Sequence, residues 1–249
     1  MNSRLLSPLA TLGLILVAAV GSLACKRGTP EPRAGAPTES GAVRSVSFPT
    51  DDGGFVDADE YGAGARGVVL AHGARFDKGS WSKQARTLAE NGFRVLAIDF
   101  RGYGRSQAGS ASKRSGDGLS LDVLAAVRYL RASGTERVSI VGGSMGGGAA
   151  AQAAVECRPT EIDALVLLAP APVAHPERMQ GRKLFVVGRD DVDGDGSRRL
   201  EKIREQFDKA PDPKELSILE SSAHAQFLFD TDQGAKLMSE ILRFLKAGS

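Results

Sequence analysis

Short apolar runs rich in β-branched residues recur along the chain, as GVVLAHG, FRVLAIDF, RVSIVGG, DALVLLAP, KLFVVG and ELSILE. Runs of this kind are expected of strands covered on both faces, as in a parallel sheet. Between them lie stretches of helical character at residues 80–91, 119–132, 145–157, 197–209 and 233–247. In the second of these Val123, Val127 and Leu130 recur at i, i+4 and i+7, which forms one buried helix face. Strand alternating with helix predicts an α/β fold with right-handed crossovers, its mostly parallel central sheet flanked by helices on both faces. Ahead of the first run, AVRSVSF and GFVDADEYG predict an antiparallel hairpin at the sheet edge. There is no internal repeat.

The first 42 residues depart from this pattern. Arg4 supplies a positive start, residues 9–20 are apolar, and Ser22-Leu23-Ala24 places small residues where a signal peptidase cuts, so residues 1–24 read as an export signal. The apolar stretch is shorter than the ~20 residues of a membrane span; an uncleaved N-terminal anchor is the alternative. Cys25 follows the cut. SLAC resembles a bacterial lipoprotein box, with Ser22 where that box usually has leucine. Cys25 is thus either the lipidated mature N-terminus or an incidental cysteine of a plainly secreted protein, and membrane contact is expected only through that lipid. Residues 25–42, rich in proline, glycine and polar side chains, form a flexible spacer, leaving residues 43–249 as the folded domain. Cys157 is the other cysteine; it ends an alanine-rich helix, reads as inert packing, and requires no disulfide.

Composition narrows the function classes. The chain has 249 residues, 42% hydrophobic and 25% charged, which suits one globular domain. Its net charge of +2 comes from 32 basic and 30 acidic residues with no basic block, so nucleic acid is not an expected partner.

The run IVGGSMGGG holds one serine among glycines. A Walker phosphate loop needs a lysine, and none occurs in residues 138–161. Gly146, Gly148 and Ala151 match a dinucleotide fingerprint, but inside the predicted helix, and the next strand ends without an acidic residue for a ribose. Gly142-Gly143-Ser144-Met145-Gly146 fits G-x-S-x-G with a strand before and a helix after, the setting of a nucleophile elbow. The plainer alternative is a glycine-rich turn with an incidental serine.

A serine hydroxyl needs a base to take its proton. His72 precedes the serine at a strand end, the place of an oxyanion loop; His175 lies in a proline-rich connection and reads as a surface histidine; His224 follows the last strand, where the base belongs. The acid is expected after KLFVVG, in the cluster Asp190, Asp191, Asp193 and Asp195.

Together LAHGA, AIDFRGYGRS, VGGSMGG, VVGRDD and SSAHAQF, in this order, make the chain from about residue 67 to 245 resemble an α/β-hydrolase of the compact esterase or dienelactone-hydrolase type. The resemblance implies a serine hydrolase that forms an acyl-enzyme and needs no cofactor or metal. Ser144 is then the nucleophile, His224 the general base and acid, and Asp191 the orienting acid with Asp190 as fallback; the N–H groups of Ala74 and Met145 form the oxyanion hole. A proline usual soon after the acid is missing.

DVDGDG also places Asp191, Asp193, Asp195 and Gly196 at positions 1, 3, 5 and 6 of a calcium loop, but Lys202 stands where its bidentate glutamate should be. A solvated acidic turn is the plainer reading. Asp99, Arg101 and Arg105 read as a structural turn, Trp81 as a core anchor at a helix start or a pocket wall, and Arg75, Asp77 and Lys78 as a solvated loop. The short connection over residues 169–182 predicts a minimal or absent lid, and with it small or soluble esters, or the exposed acyl group of a larger molecule. Thioester and amide hydrolysis use the same residues, and a catalytically silent, ligand-binding lipoprotein is the reading from another class. The oligomeric state is not legible.

Overall fold

The computed structural model describes residues 43–110 and 118–247. Its strands are β1 (Arg44–Pro49), β2 (Phe55–Tyr61), β3 (Arg66–Ala71), β4 (Arg94–Ile98), β5 (Arg137–Gly143), β6 (Ala164–Leu168), β7 (Arg182–Gly188) and β8 (Lys214–Leu219). The helices are α1 (Ser82–Glu90), α2 (Leu119–Ala132), α3 (Met145–Glu156), α4 (Arg199–Lys209) and α5 (Gly234–Lys246). Every expected strand and helix is present, with ends shifted by one or two residues. The shift at α1 has a cause: Lys78–Trp81 winds as a tighter 3-10 turn before the helix begins.

The sheet has eight strands in the order β1-β2-β4-β3-β5-β6-β7-β8. β1 and β2 are the expected hairpin, with Phe48 opposite Val56; β2 runs antiparallel to β4, and all other pairs are parallel. In β3 Val68, Val69, Leu70 and Ala71 are all 0% exposed, and so is every residue of β6. Successive strand side chains point to opposite faces, so unbroken burial means cover on both sides. From β3 the chain goes to β4 on one side and returns to β5 on the other. The carboxyl ends of β3 and β5 therefore meet where the strand order reverses, the place where open α/β sheets bind ligands.

Trp81 is fully buried, its ring edge-on to Phe229, which settles it as a core anchor. Cys157 is free and half-buried, and burial pushes its thiol up to about 11, so it is inert at neutral pH. The DFRGYGRS turn is structural. The Arg101 side chain, 3% exposed, lies between Asp122 and Asp52, with a nitrogen 2.7 Å from each. That contact holds Asp52 down to about 2, while burial pushes Asp122 up. Arg101→Ala leaves the Asp122 carboxylate buried without its cation, and is expected to cost on the order of 3–5 kcal/mol. Urea unfolding measures this; a midpoint equal to wild type contradicts it.

Lys78 departs from the solvated loop expected of it. Its Nζ lies 2.5 Å from Asp57 and 2.8 Å from Asp99, and the side chain is 18% exposed. The reason is topological: β2 and β4 are neighbours, so Asp57 in β2 lies opposite Asp99 just beyond β4, whose N–H donates to Asp57 O at 2.9 Å; both are nearly buried, and a cation is required between them.

Candidate active site

Ser144 stands between β5 and α3 with φ 52° and ψ −113°, a conformation rare outside glycine. Hydrogen bonds fix it there: its N–H donates to Leu168 O at 2.9 Å, and its carbonyl accepts from the N–H groups of Gly148 and Ala171, each at 2.9 Å. The flanking glycines permit the turn. A Cβ on Gly142 would stand 2.5 Å from Gly146 O, and one on Gly146 would collide with Ala71 O. Any side chain at either position therefore opens the elbow.

His224 enters from the loop after β8, and Ala225 behind it has φ 49°, another strained non-glycine position. Gly188 at the end of β7 lets this loop in, since a Cβ there would lie 2.5 Å from Ser221 O. His224 Nε2 lies 2.9 Å from Ser144 Oγ, and Nδ1 lies 2.8 Å from Asp191 Oδ2. The carboxylate only accepts, so the network assigns the proton to Nδ1 and leaves Nε2 to accept from the serine. The Asp191 side chain is 1% exposed and that of His224 28% exposed.

Asp190 points away, 60% exposed, with Arg198 at 3.7 Å. Asp193 meets Arg199 and Lys202, and Asp195 accepts from the N–H and hydroxyl of Ser197. Among the described residues no group of three or more His, Cys, Asp or Glu is arranged to hold a metal. His175 is exposed beside Glu177. His72 is buried: its Nδ1 donates to Gly73 O at 2.9 Å and its Nε2 accepts from the Phe100 N–H at 3.3 Å. Burial pushes its proton affinity down, so it stays neutral and holds the loop after β3.

That loop is pinned from two further sides. The Gly73 N–H donates to Gln226 Oε1 at 2.7 Å, and Gln226 Nε2 donates to Ser80 Oγ at 3.0 Å. The Tyr103 hydroxyl donates to Ala74 O at 2.9 Å and lies 3.9 Å from Met145 Sδ, which ties the loop to the residue after Ser144. Among the described residues the N–H groups of Ala74 and Met145 donate to no protein acceptor. Gln226, Tyr103 and Arg199 were not singled out for the site from sequence. A buried glutamine in the otherwise apolar AQFLF, two residues after His224, was the available signal for the first.

The site is open. The β6–β7 connection carries a single short turn, Pro176–Arg178, and an open cleft of ≈ 590 Å³ runs beside Ala74, Phe76 and Tyr103. Among the described residues no helix is long and apolar enough to cross a membrane.

A buried acid, a histidine and a strained serine at the carboxyl ends of parallel strands make up the site. Residues 67–235 match the family described as alpha/beta hydrolase fold, and the chain belongs to that family. It is 36% identical over 141 residues to a 2-hydroxy-6-oxononadienedioate/2-hydroxy-6-oxononatrienedioate hydrolase of Cupriavidus pinatubonensis; the match covers 53% of this chain and 45% of that protein. The chain thus spans about half the length of that relative or less. Among solved structures it resembles an esterase of Pyrococcus furiosus at TM-score 0.67 and 21% identity, covering 88% of this chain and 98% of the other. It also resembles an enol-lactonase of Burkholderia xenovorans at TM-score 0.65 and 15% identity, covering 80% and 99%. At these identities the likeness to the two structures is one of fold.

Proposed function

We propose that this chain is a serine hydrolase that cleaves carboxylic esters through an acyl-enzyme. The observation that carries the reading is the unbroken hydrogen-bond chain Ser144–His224–Asp191. Ser144 Oγ attacks the ester carbonyl while its proton passes to His224 Nε2. The N–H groups of Ala74 and Met145 receive the oxyanion, and the protonated His224 gives its proton to the departing alcohol. Water then repeats the sequence on the acyl-serine, releasing the acid and restoring Ser144. Asp191 steadies the imidazolium in both halves. Thioesters and amides fit the same steps, with a thiol or amine leaving.

The test needs no knowledge of the natural substrate. The folded protein should be labelled by a fluorophosphonate probe and should hydrolyse p-nitrophenyl acetate; if neither occurs, the fold serves as a binding module and this reading falls.

Apolar groups at the mouth point to the substrate. Val43, Val192 and Phe227 are the exposed large apolar residues among those described; Val192 follows Asp191 in the chain, and the Phe227 N–H donates to His224 O at 3.0 Å. Phe227 packs against Phe76 at 5.0 Å, and a Cβ on Gly73 would stand 3.5 Å from both the Phe76 ring and Gly143 O. An apolar acyl or aromatic group reaching Ser144 would pass this aromatic pair. Phe227→Ala is expected to lower kcat/KM for hexanoate or benzoate esters by about tenfold, with acetate little changed. Equal losses for all three would remove Phe227 from substrate binding.

The export signal, Cys25 and the spacer lie outside the described residues. A lipidated Cys25 would hold the domain at a membrane, so Cys25→Ser is expected to release it to the soluble fraction or leave the precursor unprocessed. Equal partitioning of both forms favours plain secretion.

A further inference from the structure

Arg199, the first residue of α4, sits behind the acid of the site. Its Nε lies 3.2 Å from Asp191 Oδ1, the oxygen that does not face His224. This is an ion-pair contact rather than an aligned hydrogen bond, since the buried Nε has no hydrogen-bond partner. Backbone holds the pairing in place: the Arg199 N–H donates to Asp191 O at 3.0 Å, and Val192 bridges to Arg198 to close the intervening loop. The charges continue outward in alternation. Arg199 Nη1 lies 2.5 Å from Asp193 Oδ1, and Lys202 Nζ lies 2.6 Å from Asp193 Oδ2, where the side chain of Lys202 reaches solvent. Two of the three carboxylates that looked like a calcium loop in sequence, Asp191 and Asp193, are thus engaged with cations of α4, and the third, Asp195, with Ser197.

We propose that Arg199 is a positioning residue that sets the pH range of the site through Asp191, with Asp193 as its counterweight. The proposal rests on the hydrolase reading of Ser144, His224 and Asp191. Two effects follow from one contact. The guanidinium holds Oδ1 of the buried carboxylate and so keeps Oδ2 turned to His224. It also opposes a second positive charge nearby, so it offsets part of the pull of Asp191 on a proton at His224 and keeps Nε2 free to accept from Ser144 at lower pH. Asp193 cancels part of the Arg199 charge and so acts in the opposite direction.

The other charged groups on the surrounding elements are placed to matter less. Asp190 is exposed and faces Arg198. Glu220, at the end of β8, pairs with Arg189, both exposed. Arg75 and Asp77 on the loop after β3 are exposed to solvent, which screens them.

The two substitutions should therefore move the enzyme in opposite directions, which a purely structural role would not do. Arg199→Gln removes the opposing charge, so the acid limb of kcat/KM should move to higher pH by about half to one unit. Asp193→Asn leaves Arg199 uncompensated and should move that limb to lower pH. Arg199→Lys keeps a cation and should keep the limb near wild type. The titration midpoint of the His224 ring, followed by NMR and assigned by the signal lost in His224→Gln, should shift the same way in each variant and needs no turnover.

If the midpoints shift as stated while no ester is hydrolysed and no probe reacts, the hydrolase reading falls and the charge relation stands. If hydrolysis is present and Arg199→Gln leaves limb and midpoint unmoved, or both variants move in one direction, the proposal is overturned. Should Arg199→Gln fail to fold, the direction seen in Asp193→Asn decides alone.

Discussion

Ser144→Ala is expected to abolish fluorophosphonate labelling and to lower ester hydrolysis by on the order of 10⁵-fold or more, because the members of such a group act as a unit and loss of the nucleophile removes the covalent route. What remains is the contribution of the Ala74 and Met145 amides. Stability should stay near wild type, since among the described residues the Ser144 Oγ has a hydrogen-bond partner only in His224 and the backbone contacts of the elbow use N–H and carbonyl groups that alanine retains. Full activity in this variant would end the mechanism. His224→Ala is expected to come close to the same loss, and His175→Ala, exposed beside Glu177, to change little.

The second large effect is expected at Asp191. Asp191→Asn keeps the shape of the side chain but can donate an N–H to His224 Nδ1, which favours the tautomer that turns a proton, rather than a lone pair, toward Ser144. Turnover should fall by about 10³- to 10⁴-fold with little loss of fold. Asp193→Asn and Asp195→Asn should be mild at neutral pH, and a chelator should leave the melting temperature unchanged. Equal losses from all three asparagine variants, together with a calcium-dependent melting shift, would instead mean a metal site built on the same loop.

The strands were legible because a strand covered on both faces has no polar alternation to disguise it, as VVLA in β3 and ALVLL in β6 illustrate. Ser144, Asp191 and His224 were legible because each lies in the connection after a strand, in a fixed chain order, and the structure joins them by hydrogen bonds, Ser144 to His224 and His224 to Asp191. Strand order was a different matter. It joins Asp57 to Asp99 through Lys78, and no local pattern announces that β2 and β4 are neighbours. The Gly73 partner of Gln226 is likewise brought to it from far along the chain, so the glutamine in AQFLF marks an unusual residue without naming its contact; Arg199 lies in the same β7–α4 connection as Asp191, but an arginine in the polar run SRRLEK carries no signal of its own.

The distribution of the site along the chain sets when it can exist. The loop assigned to the oxyanion hole in the proposed mechanism follows β3, Ser144 follows β5, Asp191 follows β7, and His224 follows β8, the last strand among the described residues. As the polypeptide is synthesised, the elbow emerges long before the histidine that would make its hydroxyl reactive. Gln226, which pins the loop after β3, arrives with that same segment. On the proposed mechanism, a nascent or clipped chain that lacks this segment carries the serine without its base, and labelling is expected only once β8 and the segment after it have docked. Onset of probe labelling during translation or refolding would therefore time the completion of the whole sheet rather than the formation of any one part of it.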